Sequence, residues 1–151
     1  MTDYPDGPDG TPERAAILAR AAALCGGRVY DDLPEGEEVP RDASGEILPY
    51  VVITFSSPVP MNDARLMAFG ELNQGYMMGV QVDCWGPTRA IAGATAGAAR
   101  RVLIGFVPNE ACDEIRTTGG AQFSMRASGA LPSRAMEQIR MLVPMNLSIP
   151  A

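Results

Sequence analysis

The groups available for chemistry in this chain are eighteen carboxylates, twelve basic residues that are all arginine, and three cysteines, with no histidine. Without an imidazole, a Ser/His/Asp triad, a Cys/His dyad and any histidine-containing zinc site cannot be built within the chain. Cys25, Cys84 and Cys112 lie far apart with no C-x-x-C pair, which disfavours a local metal knuckle. They read as small, buried, reduced thiols. Asp31 and Asp32 open the run DDLPEGEEVPRDASGE, whose density of Pro, Gly and charge is that of a solvated loop. Glu110, Asp113 and Glu114 follow Pro108 and suit a short helix or turn, with a divalent-ion site as the alternative. Thr117, Thr118, Gly119 and Gly120 form a TTGG turn that lacks the lysine of a phosphate loop. No catalytic, cofactor-binding or metal-ligating residue is assigned, and the expected class is an assembly protein rather than an enzyme.

The segment that most clearly specifies structure is YMMGVQVDCWGPTRAIAGATAGAARRVLIG, residues 76–105. Met78, Val80, Val82 and Cys84 alternate with Gly79, Gln81, Asp83 and Trp85, which is the period of a half-buried strand. Gly86 and Pro87 break it, and Pro87 suits the first position of a helix beginning near Thr88. Ile91, Ala94, Thr95, Ala98 and Val102 recur at spacings of three and four as a thin apolar stripe, opposite Arg89, Gly93 and Arg100. Gly93 and Gly97 make a G-x-x-x-G, read as close packing in a soluble core because the helix carries three arginines. Arg100 and Arg101, with Arg89, are read as a solvated helix face.

The remaining elements follow from similar signals. Thr11 is expected to cap a first helix over about residues 12–25, with Ile17, Leu18, Ala21 and Leu24 on one face and Gly26 and Gly27 ending it. A short strand at 28–30 leads into the acidic loop. Pro49 to Phe55 is apolar on both faces and rich in β-branched residues, as a central strand would be. Residues 56–75 read as a long loop more hydrophobic than solvent exposure explains, so it should touch a partner. Ala121, Phe123, Met125 and Ala127 alternate with polar neighbours. So do Ile139, Met141, Val143, Met145, Leu147 and Ile149, where Pro144 lacks a ladder donor and suggests an edge strand or a bulge. The order of elements predicts one α+β domain over 12–151, a mostly antiparallel sheet with two helices packed on one face, behind a polar arm at 1–11. A length of 151 residues suits one core.

The net charge of −6 argues against diffuse nucleic-acid binding. No apolar run reaches the roughly 20 residues of a membrane span, and the acidic start MTDYPDGPDG does not read as a signal peptide, so cytosolic synthesis is expected.

The succession GGRVYDD, LPYVVITFSSP, GVQVDCWGPT, an Ala-rich helix ending RRVLIGFVP, TTGG and paired C-terminal strands resembles tail terminator (tail completion) proteins of long-tailed bacteriophages, or siphoviruses, especially those of actinobacteria. The resemblance runs over about 12–150 and is most specific at Pro49–Phe55, Val80–Thr88 and Leu103–Pro108. It implies a structural virion protein, a homo-oligomeric ring, taken as a hexamer, that caps the tail tube at the neck and joins it to the head connector. The implied partners are further copies of the chain, the major tail tube protein and the head–tail connector or stopper protein, with DNA passing through the lumen unbound and no cofactor. Six copies at −6 each carry −36, and acidic walls would let DNA slide. Candidate partner-contact residues are Met61, Asn62, Arg65, Leu66, Met67, Phe69, Arg116, Arg126, Arg140 and Met145, with the C-terminal strand as the edge that pairs between copies. The nine methionines offer adaptable contact surface as well as core filling. Alternatives are another neck or head-completion protein, or a small ligand-binding or enzymatic domain using carboxylates or Cys84.

Overall fold

A computed structural model describes residues 9–31, 34, 38–68, 71–118, 124–126 and 134–150, of which 61–68, 71–74, 124–126 and 146–150 are described by their backbone alone. Helix α1 spans Thr11–Ala21, with proline in its first turn. The cap expected at Thr11 lies one step earlier: Gly10 is the cap residue in a left-handed conformation, φ 80°, and Asp9 Oδ1 accepts the Thr11 N–H at 2.9 Å. The helix also stops four residues short of its expected end, passing into a 3₁₀ turn over Leu24–Gly27 in which Cys25 takes φ 52°.

Seven strands form one sheet: β1 Val29–Tyr30, β2 Tyr50–Phe55, β3 Val59–Ala68, β4 Glu71–Gly86, β5 Arg116–Thr117, β6 Ser124–Arg126 and β7 Ala135–Pro150. The path is β1-β2-β4-β7-β5, with β3 beside β4 and β6 beside β7. Only β1 and β2 are parallel; the other pairs are antiparallel. The central strand read at Pro49–Phe55 is β2, between β1 and β4. Its two apolar faces have separate uses. Val51 and Ile53 join the main core, while Tyr50 and Val52 join a second cluster.

Helix α2 spans Arg89–Leu103, and Thr88 is its N-cap, accepting the Ile91 N–H on Oγ1 at 3.2 Å. Pro87 therefore stands just outside the helix, not at its first position. The alternation along β4 holds: Met78, Val80, Val82 and Cys84 are buried with Ile139, Met141 and Val143 of β7 against Ile17 and Ala21 of α1 and Ala96, Ala99 and Leu103 of α2. Both helices thus lie on one face of a mostly antiparallel sheet, an α+β fold. Arg20 fastens α1 to the end of α2, its Nε donating to the Val102 carbonyl at 3.0 Å and its guanidinium lying 5.3 Å from the Phe106 ring centroid.

The inward face of α2 differs from the expected stripe by a rotation of one residue. Ala92, Thr95, Ala96, Ala99 and Leu103 are buried, whereas Ala94 is exposed and Ile91 lies over Gly86 with 37% of its surface free. A helix this rich in alanine has adjacent stripes of similar hydrophobicity, so periodicity alone does not choose between them. Of the G-x-x-x-G glycines only Gly93 makes a close approach, since a Cβ there would stand 3.1 Å from the Glu137 carboxylate of β7; one on Gly97 would meet only the Arg101 side chain at 3.6 Å. Alanines carry the rest of the contact with the sheet.

One larger correction concerns the sheet. The segment 56–75 is not a long loop; β3 fills 59–68 and β4 begins at Glu71, so most of it is a β-hairpin. β7 pairs with β4 along its whole length, while on its other side β6 covers Ala135–Glu137 and β5 covers Met141–Leu142; beyond Leu142 no described strand pairs on that side, so the edge expected at Pro144 is present there. The outward side of Pro144, where its N–H is missing, meets a loop instead, its carbonyl accepting the Asp113 N–H at 2.8 Å. The β4 ladder therefore loses no donor. The acidic segment is also tied down at its end: Val39 and Ile47 are buried beneath the turn 42–46, in the second cluster with Tyr50, Val52, Trp85 and Met136. No described helix is long and apolar enough to cross a membrane.

Candidate assembly interface

The two 16-residue strands β4 and β7 set the geometry. At about 3.3 Å per residue each runs roughly 53 Å. Helix α2, with 15 residues, covers roughly 22 Å at 1.5 Å per residue. On one side of β4, β2 occupies Val80–Trp85 and β3 occupies Glu71–Met77, so the far half of the sheet is a three-stranded arm of β3, β4 and β7. Residues 59–60 and 65–68 of β3 pair with β4, with a register shift between Pro60 and Arg65. Among the described strands, nothing pairs with the outer edge of β3. A ten-residue edge of this kind presents backbone donors and acceptors to whatever lies beside it.

The candidate contact residues distribute over three places. Met61, Asn62, Arg65, Leu66 and Met67 all fall on β3; Arg65, Leu66 and Met67 pair with Gln74, Asn73 and Leu72, and Met61 and Asn62 sit in the register shift. Phe69 lies outside the described residues. Arg116 and Arg140 share the helix-free face: Arg116 pairs with Leu142, two residues from Arg140. Both are exposed, with Arg116 ion-paired to Asp113 at 2.9 Å and Arg140 Nε donating to Gln138 Oε1 at 3.1 Å. Arg126 ends β6, opposite Ala135. Met145 is corrected from a contact residue to a core residue, 4% exposed in the main cluster. Met78, Met136 and Met141 are likewise buried, so these four methionines fill the interior rather than offer a contact surface.

The helix-free face is polar where no loop covers it. Asp83 Oδ1 accepts from Gln81 Nε2 at 3.3 Å and from Gln138 Nε2 at 3.2 Å, and Gln138 passes the chain of bonds to Arg140. Beside this row a groove of about 380 Å³ opens over Gly79 between β2 and β7. The Gly79 N–H donates to Ser56 Oγ at 2.7 Å, and a Cβ there would stand 3.0 Å from that oxygen.

A second group, not singled out in the sequence, lies at the Gly86 end of the sheet. Arg134 is 9% exposed, its Nη1 donates to the Tyr50 hydroxyl at 2.6 Å, and its guanidinium carbon stands 4.2 Å from the Trp85 ring centroid. Tyr50 and Trp85 stack with a 10° interplanar angle, and Tyr30 meets Tyr50 edge-on. Burial pushes the Tyr50 hydroxyl above its usual 10.0 despite the arginine beside it. Arg134 Nε and Trp85 Nε1 are both buried without an acceptor. The signal that could have revealed this group is an arginine just before an alternating strand that pairs with an aromatic-ended one; its burial was not legible, because arginine is ordinarily a surface residue.

Among the described residues, no three acidic, cysteine or histidine side chains gather as a metal-ligand set. Of the three thiols expected to be buried only Cys84 is, and burial pushes it up to about 12 from 9.0; Cys25 and Cys112 are half-buried, and desolvation raises them as well.

No known family model matches the sequence, and no curated protein matches it. Among solved structures, the fold is similar to that of a chain in the virion of a native gene transfer agent particle. The two are 17% identical with a TM-score of 0.54, over 89% of this chain and 94% of the other. At that identity the likeness defines a shared α+β fold.

Proposed function

We propose that the protein is a non-enzymatic structural component of a phage-like virion, and within it the tail terminator: a ring at the junction of tail and neck that caps the tail tube and receives the head connector. The observation that carries this reading is the fold shared, over nearly the whole length of both chains, with a chain of a gene transfer agent virion. The arm gives it a physical means. A closed ring is built from one heterologous contact repeated, so each copy must offer two different surfaces. The edge of β3, which no described strand covers and which carries five of the contact residues, is one such surface. Strand pairing across it would satisfy the edge and fix the register between copies.

The test is the mass of the purified protein by light scattering, alone and after mixing with the tail-tube protein of its own particle. A closed ring, or a monomer that becomes one on tube ends, is the expected outcome. A monomer that ignores tubes and binds the portal-side connector would instead make it a head-completion protein.

A further inference from the structure

The arm of β3, β4 and β7 has two outer edges, and the described strands leave both uncovered over the same stretch. On one side, Arg65–Ala68 of β3 pair inward with β4, and no described strand lies outside them. On the other, β7 has no strand outside it after Leu142. The loop between α2 and β5 seals the next two residues, with Cys112 bridging to Met145 and the Asp113 N–H reaching the Pro144 carbonyl. Beyond them, no described residue pairs on the outer side of Asn146–Pro150. The two uncovered stretches stand level across β4: Leu66 and Ser148 are both opposite Asn73, and Met67 and Ile149 are both opposite Leu72. Because β3 and β7 are each antiparallel to β4, they run in the same direction. Copies related by rotation about an axis along the arm keep that direction, so β3 of one copy meets β7 of the next in parallel. A twofold contact, β3 on β3 or β7 on β7, would be antiparallel and would leave the other edge of each arm open.

We propose that the outer edge of β3 in one copy pairs in parallel with the outer edge of β7, beyond Met145, in a second copy, so that the sheet runs on from copy to copy. This rests on the ring reading above and names the second of its two surfaces. A second copy is the favoured occupant because each arm carries both halves of the contact. One repeated junction satisfies both edges, and a closed ring leaves none, whereas a strand from a different protein would cover one edge and leave the other. An independent observation lies at the base of the arm. Val59 opens β3 with 56% of its surface exposed, opposite Met77, whose partner on the other side is Pro144. In a level pairing Val59 therefore comes against the neighbour's sealing loop at Pro144–Met145, and that loop carries Val107, 49% exposed. Of the four large hydrophobics exposed among the described residues, these two stand on the two surfaces that the junction brings together. The sealing loop is also a stop. It occupies the β7 edge at 144–145, so an incoming β3 cannot slide toward the body of its neighbour, which fixes the register.

The experiment is cross-linking with a short bis-maleimide beside sedimentation velocity, on the full chain alone and mixed with the tail-tube protein of its own particle. Cys112, half-buried on the sealing loop, supplies one thiol, and Val59→Cys supplies the other. V59C should give a ladder of linked copies up to the mass of the whole ring where wild type gives none, and the ladder should vanish when Cys112→Ser is added. Leu66→Cys with Ser148→Cys, in the Cys112→Ser background, tests the tip of the arm in the same way and stands in should V59C fail to fold. The pair should give the ladder and either change alone should not. Linked dimers that stop at two copies, from L66C or S148C alone or from V59C with C112S, would mean that like edges meet, and would overturn the proposal. Rings seen by sedimentation with no ladder from either design would overturn the strand pairing and leave the ring reading standing. Monomers both with and without tubes would overturn the two together.

Discussion

Two glycine-to-alanine substitutions, at Gly86 and Gly97, should move stability in opposite directions, and the difference tests whether α2 is seated as described. An alanine at Gly86 would place its Cβ 3.0 Å from Ile91 Cγ2 and 3.1 Å from the Ala92 backbone nitrogen. The side chain could turn aside, but the backbone nitrogen belongs to the first turn of a helix held by the buried Ala92, Thr95, Ala96 and Ala99. Relief therefore requires the whole helix to shift against the sheet, an overpacking cost of about 2 kcal/mol. An alanine at Gly97 would meet only Arg101 Nη1, at 3.6 Å, which is ordinary contact with a flexible side chain. It should gain the helix-propensity difference of about 1 kcal/mol. In a chain of this length these changes correspond to Tm shifts of roughly 5 °C downward and 3 °C upward. Urea denaturation at one fixed protein concentration would measure both, since assembly also shifts apparent stability. A Gly86→Ala variant within about 0.5 kcal/mol of wild type, or a destabilised Gly97→Ala, would refute the placement of α2.

Three further outcomes are expected. Thr88→Ala removes the cap oxygen that accepts the Ile91 N–H and should cost about 1 kcal/mol by denaturant titration, with Thr88→Ser restoring most of it. Cys84, buried and pushed up to about 12, should resist thiol reagents at pH 8 in the folded protein and react on unfolding; a native reaction at the rate of free cysteine would count against the core. Because the folded thiol keeps its proton to a higher pH than the unfolded one, its contribution is complete below pH 9.0 and is lost as pH rises toward 12. The slope should approach ~1.4 kcal/mol per pH unit in that window. Asp42 is held below its usual 3.8, first by the Ser44 hydroxyl and next by the Glu46 N–H. The turn 42–46 should therefore loosen as pH falls below that value, read as movement of the Ser44 and Glu46 amide signals by NMR; signals that stay fixed to pH 2 would contradict it.

Much of the architecture was legible from period and composition, and the exceptions have physical causes. The alternation of Met78, Val80, Val82 and Cys84 needed only the pleat of a strand with one buried face. Residues 56–75 were not legible as strand because Pro58, Pro60, Asn62, Asp63 and Gly70 interrupt any alternation. Their pairing comes from β4, which continues past the edge of β2 and offers a template. Pro144 was legible as lacking a donor and so as marking an edge, but that its vacancy points away from β4 and toward the Asp113 loop is a tertiary fact.

By itself, the sequence determined the class: an acidic chain without histidine, its α+β order, and the two apolar faces of β2 follow from residue types and spacing that no fold can alter. Tertiary structure decided which of several equivalent alanine stripes on α2 faces the sheet, that β4 and β7 outrun the helices as an arm, and that Arg134 is enclosed by Trp85 and Tyr50. Those choices depend on contacts between residues distant along the chain, such as Tyr50 with Arg134. Local periodicity reports how a segment can be amphipathic, but only the packed partners determine which face is buried and which charges are left without a counterpart.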